Sequence, residues 1–346
     1  MSLPGLLGVE LPIVQAPMAG VQGSALAIAV CNAGALGSLP CAMLGPSAIR
    51  DELAAIRAAT SHPFNVNFFC HTAPVADPTR EAAWRDALAP YYRESGLDPQ
   101  AAGSGAGREA FSAETAELLE ALKPPIVSFH FGLPSADLLA HLRRWGAKVL
   151  ASATTPAEAR WLDARGVDAI IAQGVEAGGH RGMFLSTDVT TQIGSFALLP
   201  QVIRAVRRPV IAAGGIADAA GVAAALKLGA SGVQVGTAYL LCPEATTSAV
   251  HRAALRGEGA SHTALTNLFT GRPARGIVNR LMRELGPMSS TVPEFPLAVA
   301  PLAPLRAHAE RSGRGDFSPL WSGQNASGCK AIAAAQLTHE LAAGLG

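Results

Sequence analysis

The sequence predicts an α/β protein: a (β/α)8 TIM barrel with an insertion after the third strand and a C-terminal helical extension. Three observations carry this. Eight short runs of apolar or small residues recur along the first 240 positions. Helical patterns of roughly 10 to 15 residues separate most of them, the rhythm of βα units around a parallel sheet. Glycine-rich turns follow the last two runs, where such barrels often hold phosphate groups.

The expected strands are 13–16, 35–39, 65–69, 126–129, 148–151, 169–173, 210–213 and 232–235. Several are continuous apolar runs, as in strands buried on both faces. The helices carry ordinary punctuation. In Thr154-Thr155-Pro156-Ala157-Glu158 a hydroxyl cap precedes an early proline and a first-turn glutamate. Arg165-Gly166-Val167-Asp168 stops that helix. Asp218 caps a later one, which Leu228-Gly229-Ala230 closes. Eight strands with seven evident crossovers favour a closed barrel over an open doubly wound sheet.

Two segments fall outside the repeat. Residues 70–108 form a polar insertion containing Pro and Gly, most loop-like at 101–107. Residues 241–346 form an extension with helical stretches at 244–256 and 328–344. The expected division is therefore a barrel over 1–240 and an extension over 241–346 that covers the active site, since long additions at barrel loops usually build or cover a site.

Composition narrows the class. The chain has 346 residues, and 27 Lys+Arg nearly cancel 26 Asp+Glu, for a net charge of +1. No clustered basic excess points to nucleic acid or a membrane surface. With 49% hydrophobic and 15% charged residues, disorder is also excluded. The five cysteines (Cys31, Cys41, Cys70, Cys242, Cys329) make no CxxC pair and no zinc spacing, so free thiols in a reducing compartment and no metal site are expected. No basic leader with a long apolar run is visible, and no apolar stretch reaches about 18 residues. A cytoplasmic protein is the expectation, with monomer and homodimer both open.

Barrel active sites lie at the C-terminal ends of strands. The seventh strand ends in Gly214-Gly215, with a helix close behind, and the eighth runs through Gln234, Val235, Gly236 and Thr237. Glycines let backbone N–H groups approach phosphate oxygens, and a helix N-terminus adds a favourable dipole. The first strand ends Ala16-Pro17-Met18, which either leaves room for a flat ligand against the backbone or simply bends the strand into its loop. Asn65 and Asn67 share one face of the third strand and need polar partners, from a heterocycle or from neighbouring loops.

The densest constellation follows the sixth strand, where Gln173 leads into Gly174-Val-Glu176-Ala-Gly178-Gly179-His180-Arg181-Gly182. His180 is the one side chain there able to exchange a proton near neutral pH. Glu176 and Arg181 either pair with each other or hold the loop. His71 and His130, near strand ends, are secondary candidates.

Together these segments resemble the nitronate monooxygenases, formerly called 2-nitropropane dioxygenases. The likeness runs from about residue 10 to 240 and returns at Phe317-Ser-Pro-Leu-Trp321-Ser-Gly-Gln324. The segments 172–182, 212–216 and 234–237 look like the flavin-site signatures, and 64–71 with Leu-Trp-Ser-Gly-Gln looks most like the class I branch. The resemblance implies FMN as cofactor. Gly215 and Gln234 to Thr237 would hold its phosphate and ribityl chain. Ala16, Pro17, Met18, Asn67, Gln173 and Gly178 would line its ring, with Gln324 facing it from the extension. His180 would be the catalytic histidine. The implied partners are a small nitronate, such as propionate 3-nitronate, and O2. The implied reaction passes through an anionic flavosemiquinone to an aldehyde and nitrite.

The rival within the same superfamily is an FMN-dependent NAD(P)H reductase acting on an enoyl thioester or a quinone. His180 does not separate the two, whereas 65–71 and 321–324 favour the monooxygenase. A flavin-binding scaffold without turnover is disfavoured by the intact His180 loop. An aldolase-like barrel is disfavoured because none of the four lysines ends an expected strand.

Overall fold

The computed structural model describes residues 2–99 and 108–345, so the stretch 101–107 lies outside the described residues. The strands are β1 (Ile13–Gln15), β2 (Ser38–Pro40), β3 (Asn65–Phe69), β4 (Ile126–His130), β5 (Lys148–Ala153), β6 (Ala169–Gln173), β7 (Gly179–His180), β8 (Val210–Ala213), β9 (Gly232–Val235), β10 (Thr263–Thr266) and β11 (Ala274–Ile277). Eight of them pair in parallel in the order β1-β9-β8-β6-β5-β4-β3-β2. A parallel bridge from Val14 to Leu36 closes the ring between β1 and β2. This is the expected TIM barrel.

Strand β2 starts later than its apolar run suggests. Leu36 pairs across the seam, while Ser38–Pro40 pairs with β3. Between them Gly37 is pressed onto the helix Ser24–Asn32, where a Cβ would come within 2.1 Å of the Ala27 carbonyl oxygen. The helix punctuation appears where expected. The Asp218 carboxylate accepts from Gly221 N at 2.8 Å, and the Thr155 hydroxyl accepts from Glu158 N at 3.2 Å.

Strand alternation divides the apolar residues into two sets. Val14, Leu36, Ile126, Leu150, Ile171 and Ile211 cluster inside the barrel with Leu3 and Leu7, which close its N-terminal end. Ile13, Val127, Val149, Ile170, Val210 and Val233 pack outward into the main core beneath the helices. The asparagine pair on β3 is met by neighbouring strands. Asn65 Nδ2 donates to Ser38 Oγ at 3.0 Å and Ser128 Oγ at 2.9 Å, and Ser128 donates to Asn67 Oδ1 at 2.9 Å.

Both segments outside the repeat pack together. Helix Pro78–Glu94 brings Trp84, Leu88, Tyr91 and Tyr92 against Leu268, Met282, Leu302 and Leu305 in a second apolar cluster. Residues 241–346 contain the helices Ala249–Arg256, Arg280–Leu285, Val299–Arg311 and Ala334–Ala342, and also the antiparallel pair β10–β11. Strand β11 pairs in turn with β7, joining the extension to the loop after β6. Helix Ala334–Ala342 returns to the barrel wall, with Leu337 and Leu341 in the main core and Thr338 Oγ1 2.9 Å from the Tyr239 hydroxyl. Among the described residues no helix is long and apolar enough to cross a membrane. All five cysteines are free.

Candidate active site

At the C-terminal ends of the barrel strands lies a cavity of about 180 Å³. Its lining collects Ala16, Pro17, Met18, Asn67, Gln173, Gly178, His180, Gly214, Gly215, Gln234, Gly236 and Thr237. Residues distant in sequence meet here because every parallel strand delivers its C-terminal end to the same rim.

One side of the cavity presents unpaired backbone donors. Gly214 and Gly215 take φ of +112° and +75°, a conformation that side chains resist. Among the described residues, the N–H groups of Gly215 and Gly236 have no acceptor. Gln234 Oε1 is buried without a partner. A Cβ on Gly236 would sit 3.2 Å from Ala16 Cβ and 3.5 Å from Met18 Sδ, filling the slot between β1 and β9. The Ala16–Met18 turn is fixed from behind, since Met18 N donates to Gln22 Oε1 at 3.1 Å. The Thr237 hydroxyl oxygen accepts from Gly323 N at 3.0 Å, leaving its proton to give.

The opposite side is the His180 loop, which is tightly folded and not free. Gln173 clamps it: Nε2 donates to the His180 carbonyl at 3.0 Å and Oε1 accepts from Gly182 N at 2.7 Å. Both ends of this amide engage the loop, and its side chain also borders the cavity. Glu176 and Arg181 do not pair. Glu176 accepts from Ser195 N at 2.9 Å and Ser195 Oγ at 2.8 Å. Arg181, fully buried, donates to Gln192 Oε1 and to the carbonyls of Gly174 and Gln173 at 2.8–2.9 Å. Burial pulls its pKa down to about 9.

The His180 ring is half-buried and borders the cavity among Phe69, Phe131, Phe295 and Trp321, with centroids 5.5–6.2 Å away. Burial, first, and then the positive charges of Arg108 and Arg272 hold its pKa well below the usual imidazole value. It is neutral at pH 7. Nε2 lies 2.9 Å from Thr270 Oγ1, and Nδ1 has no partner among the described residues. The Thr270 hydroxyl can donate or accept, so it supports either neutral tautomer.

Of the secondary candidates, His130 is structural. Its Nε2 donates to the His180 carbonyl at 3.1 Å, which fixes the proton there and leaves Nδ1 to accept from Ser152 at 3.1 Å. Burial lowers its pKa to about 4. The next residue, Phe131, takes φ +71°, unusual for a bulky side chain. Packing against Phe69, His180 and Phe295 holds it there. His71 is buried with Nδ1 unpartnered, edge-on to Phe295 at 4.8 Å.

Two expected residues do not reach the lining. Strand alternation turns Val235 outward into the main core, and only its carbonyl serves the rim, accepting from Ala16 N at 2.8 Å. Gln324 is exposed, so it does not face the cavity. Its backbone N donates to the Glu176 carbonyl at 2.9 Å, while its neighbours Gly323 and Asn325 line the cavity. Asn325 Nδ2 donates to the Gly215 carbonyl at 3.1 Å. Residues 321–325 thus form a strap across the glycine turns. The lining also includes Phe69, Arg108, Ser152, His251 and Trp321, which were not singled out individually. Phe69 and Trp321 lay within segments already marked, whereas Arg108 looked like one more arginine in a polar insertion.

The site thus sets unpaired amide donors and a slot opposite a neutral imidazole. The nitronate monooxygenase family profile matches residues 2–344. The chain is 45% identical over 340 residues to a nitronate monooxygenase of Paraburkholderia phytofirmans, covering 97% of this chain and 92% of that one. It is 43% identical over 340 residues to one of Pseudomonas aeruginosa, covering 97% and 96%. Its fold matches a nitroalkane oxidase from Streptomyces ansochromogenes with a TM-score of 0.89 at 39% identity, covering 100% of this chain and 98% of the other.

Proposed function

The chain belongs to the nitronate monooxygenase family, and on that premise we propose that it is an FMN-dependent enzyme. It oxidises alkyl nitronates, propionate 3-nitronate among them, with O2 to an aldehyde and nitrite. The observation that carries this reading is the continuity of one cavity from the unpaired amides of Gly215 and Gly236 to the neutral ring of His180.

The residues present fit the cofactor. Gly214, Gly215, Gly236 and Thr237 offer N–H and O–H donors to a phosphate. Gln234 Oε1, buried without a partner, accepts from a polar ligand group. Ala16, Pro17, Met18, Asn67 and Gly178 border the slot for a flat ring, and Gln173 holds the loop beside it. FMN, when bound, supplies the electron transfer to O2 that no side chain here can provide.

The protein's own part is binding, proton handling and water exclusion. With a nitronate, His180 Nδ1–H donates to a nitro oxygen while Nε2 accepts from Thr270. With a neutral nitroalkane the tautomer reverses: Nδ1 takes the α-proton and Nε2–H donates to Thr270. A cationic imidazole could not act as that base, so the depressed pKa suits the role. The aromatic wall of Phe69, Phe131, Phe295 and Trp321 keeps water from this end. The strap 321–325 and the β10–β11 pair support reading 241–346 as the cover of the site. A cytoplasmic location accompanies this reading.

Oxygen uptake by the flavin-loaded protein tests it. Propionate 3-nitronate and propyl-1-nitronate should each drive O2 consumption with nitrite release, and NADH should not. Rapid anaerobic reduction of the flavin by NADH, with no nitronate-dependent uptake, would establish the NAD(P)H reductase instead.

A further inference from the structure

Residues 323–329 of the extension hold groups of both turns at the glycine end of the cavity. Gly323 N donates to Thr237 Oγ1 at 3.0 Å, Asn325 Nδ2 to the Gly215 carbonyl at 3.1 Å, and Cys329 Sγ to the Thr237 carbonyl at 3.0 Å. A Cβ on Gly328 would overlap the Ala217 carbonyl oxygen, so the segment lies directly on the chain that leaves the β8 turn. Asn325 is fixed from both ends. Its Oδ1 accepts from Ser327 N at 3.2 Å and from Ser327 Oγ at 2.6 Å. A backbone N–H can only donate and a carbonyl can only accept, so Oδ1 must face Ser327 and Nδ2 must face Gly215. Turning the amide over would break the bonds on both sides.

The effect on the turn follows from peptide planarity. Holding the Gly215 oxygen fixes the plane of the Gly215–Ile216 peptide, and in a trans peptide the Ile216 N–H points opposite to that oxygen. Ile216 borders the cavity, and its N–H has no acceptor among the described residues, so it joins Gly215 and Gly236 as a free donor. Glycine at φ +75° would otherwise let this peptide swing. At the second turn, Gly323 N occupies an acceptor site on the Thr237 hydroxyl and leaves that group to donate.

We infer that Asn325, supported by Gly323, is a positioning residue for the phosphate of the cofactor. The strap aims the donors of both turns, and the C-terminal extension thereby sets how much the phosphate adds to flavin affinity. The inference rests on the FMN reading above and goes beyond it, because it makes cofactor retention depend on side chains outside the barrel.

The test compares FMN with riboflavin, which carries the same ring and ribityl chain without the phosphate. Each is titrated into the full-length protein freed of flavin, with quenching of flavin fluorescence giving Kd. Wild type should bind FMN at least about tenfold more tightly than riboflavin, as several donors on one phosphate require. Asn325→Ala should lower that ratio roughly 3- to 10-fold, the range of one hydrogen bond, while riboflavin affinity stays within about twofold of wild type. Ser327→Ala leaves Nδ2 in place and should lower the ratio by less. A fall of less than about threefold in Asn325→Ala, including an equal loss for both flavins, would overturn the inference, since a strap that merely supports the fold weakens both alike. Equal affinity of wild type for FMN and riboflavin would also overturn it. If wild type binds neither flavin, the cofactor reading fails and the inference falls with it; tight FMN binding with an unchanged ratio in Asn325→Ala would remove the strap's role alone.

Discussion

Replacing Gly178 with alanine should lift the strap off the His180 loop, and the same change at Gly179 should not. At Gly178 a new Cβ would lie 2.5 Å from Gly323 N and 2.6 Å from Ser322 C. Both are backbone atoms, about 1 Å inside ordinary contact, so the strap itself must move. It is held by Gln324 N to Glu176 O at 2.9 Å and Gly323 N to Thr237 Oγ1 at 3.0 Å, each worth ~0.5–1.5 kcal/mol. Adding the lower end of an overpacking cost of ~1–3 kcal/mol gives a total of ~2–4 kcal/mol. Gly179 has φ +70° and open space around its would-be Cβ. Alanine there costs only the left-handed strain of ~1–2 kcal/mol, away from the strap. Hydrogen exchange resolves the two. In Gly178→Ala the amides of Gly323 and Gln324 should exchange roughly 30- to 700-fold faster, and in Gly179→Ala near the wild-type rate. Wild-type exchange of both amides in Gly178→Ala, or equal acceleration in the two variants, would refute the packing argument.

Three further outcomes are expected. Gly215→Asp should weaken FMN retention by placing a carboxylate beside the phosphate site, with Gly215→Ala reporting the strain of φ +75° alone; equal FMN affinity in both variants would remove the phosphate from this turn. His180→Ala should keep flavin while turnover falls ~10²–10⁴-fold, most severely with neutral nitroalkanes, in steady-state kinetics; unchanged kinetics would take His180 out of the mechanism. Stability should fall in mild acid. His130 and His251 are held neutral by burial, with pKa near 4 against 6.5 when free. Above 6.5 neither state takes a proton, and between 6.5 and 4 the unfolded chain takes protons the folded chain refuses. His251, 4% exposed, should therefore cost up to ~3 kcal/mol across that window. Urea denaturation at pH 7.5 and 5.0 checks this, and equal stability would contradict it.

The parallel barrel was legible because its strands are apolar runs and its helices carry caps that chemistry demands. Asp218 and Thr155 cap where a short oxygen side chain precedes a helix. The glycine turns were legible for the same kind of reason, since Gly214 and Gly215 adopt angles that few other residues tolerate. Strands β10 and β11 were not legible. They have four residues each, lack clean alternation, and β11 buries Arg275, whose Nε bonds the Val175 carbonyl at 2.8 Å. The pairing of β11 with β7 is a long-range contact that local pattern cannot register. Gln324 was misplaced because motif spacing marks a segment and leaves open which residue of an extended strap turns inward. Gln173 showed the converse: it borders the cavity, but its amide serves the loop backbone. Arg108 stayed hidden because it meets Phe295, nearly 190 positions away, through a long-range contact that local pattern cannot register.

The most direct measurement is a crystal structure of the flavin-loaded protein. FMN density should place the phosphate against the amides of Gly214, Gly215 and Gly236 and the ring in the slot beside Ala16–Met18, facing His180. FMN bound outside this cavity, or bound with its ring out of reach of His180, would contradict the account.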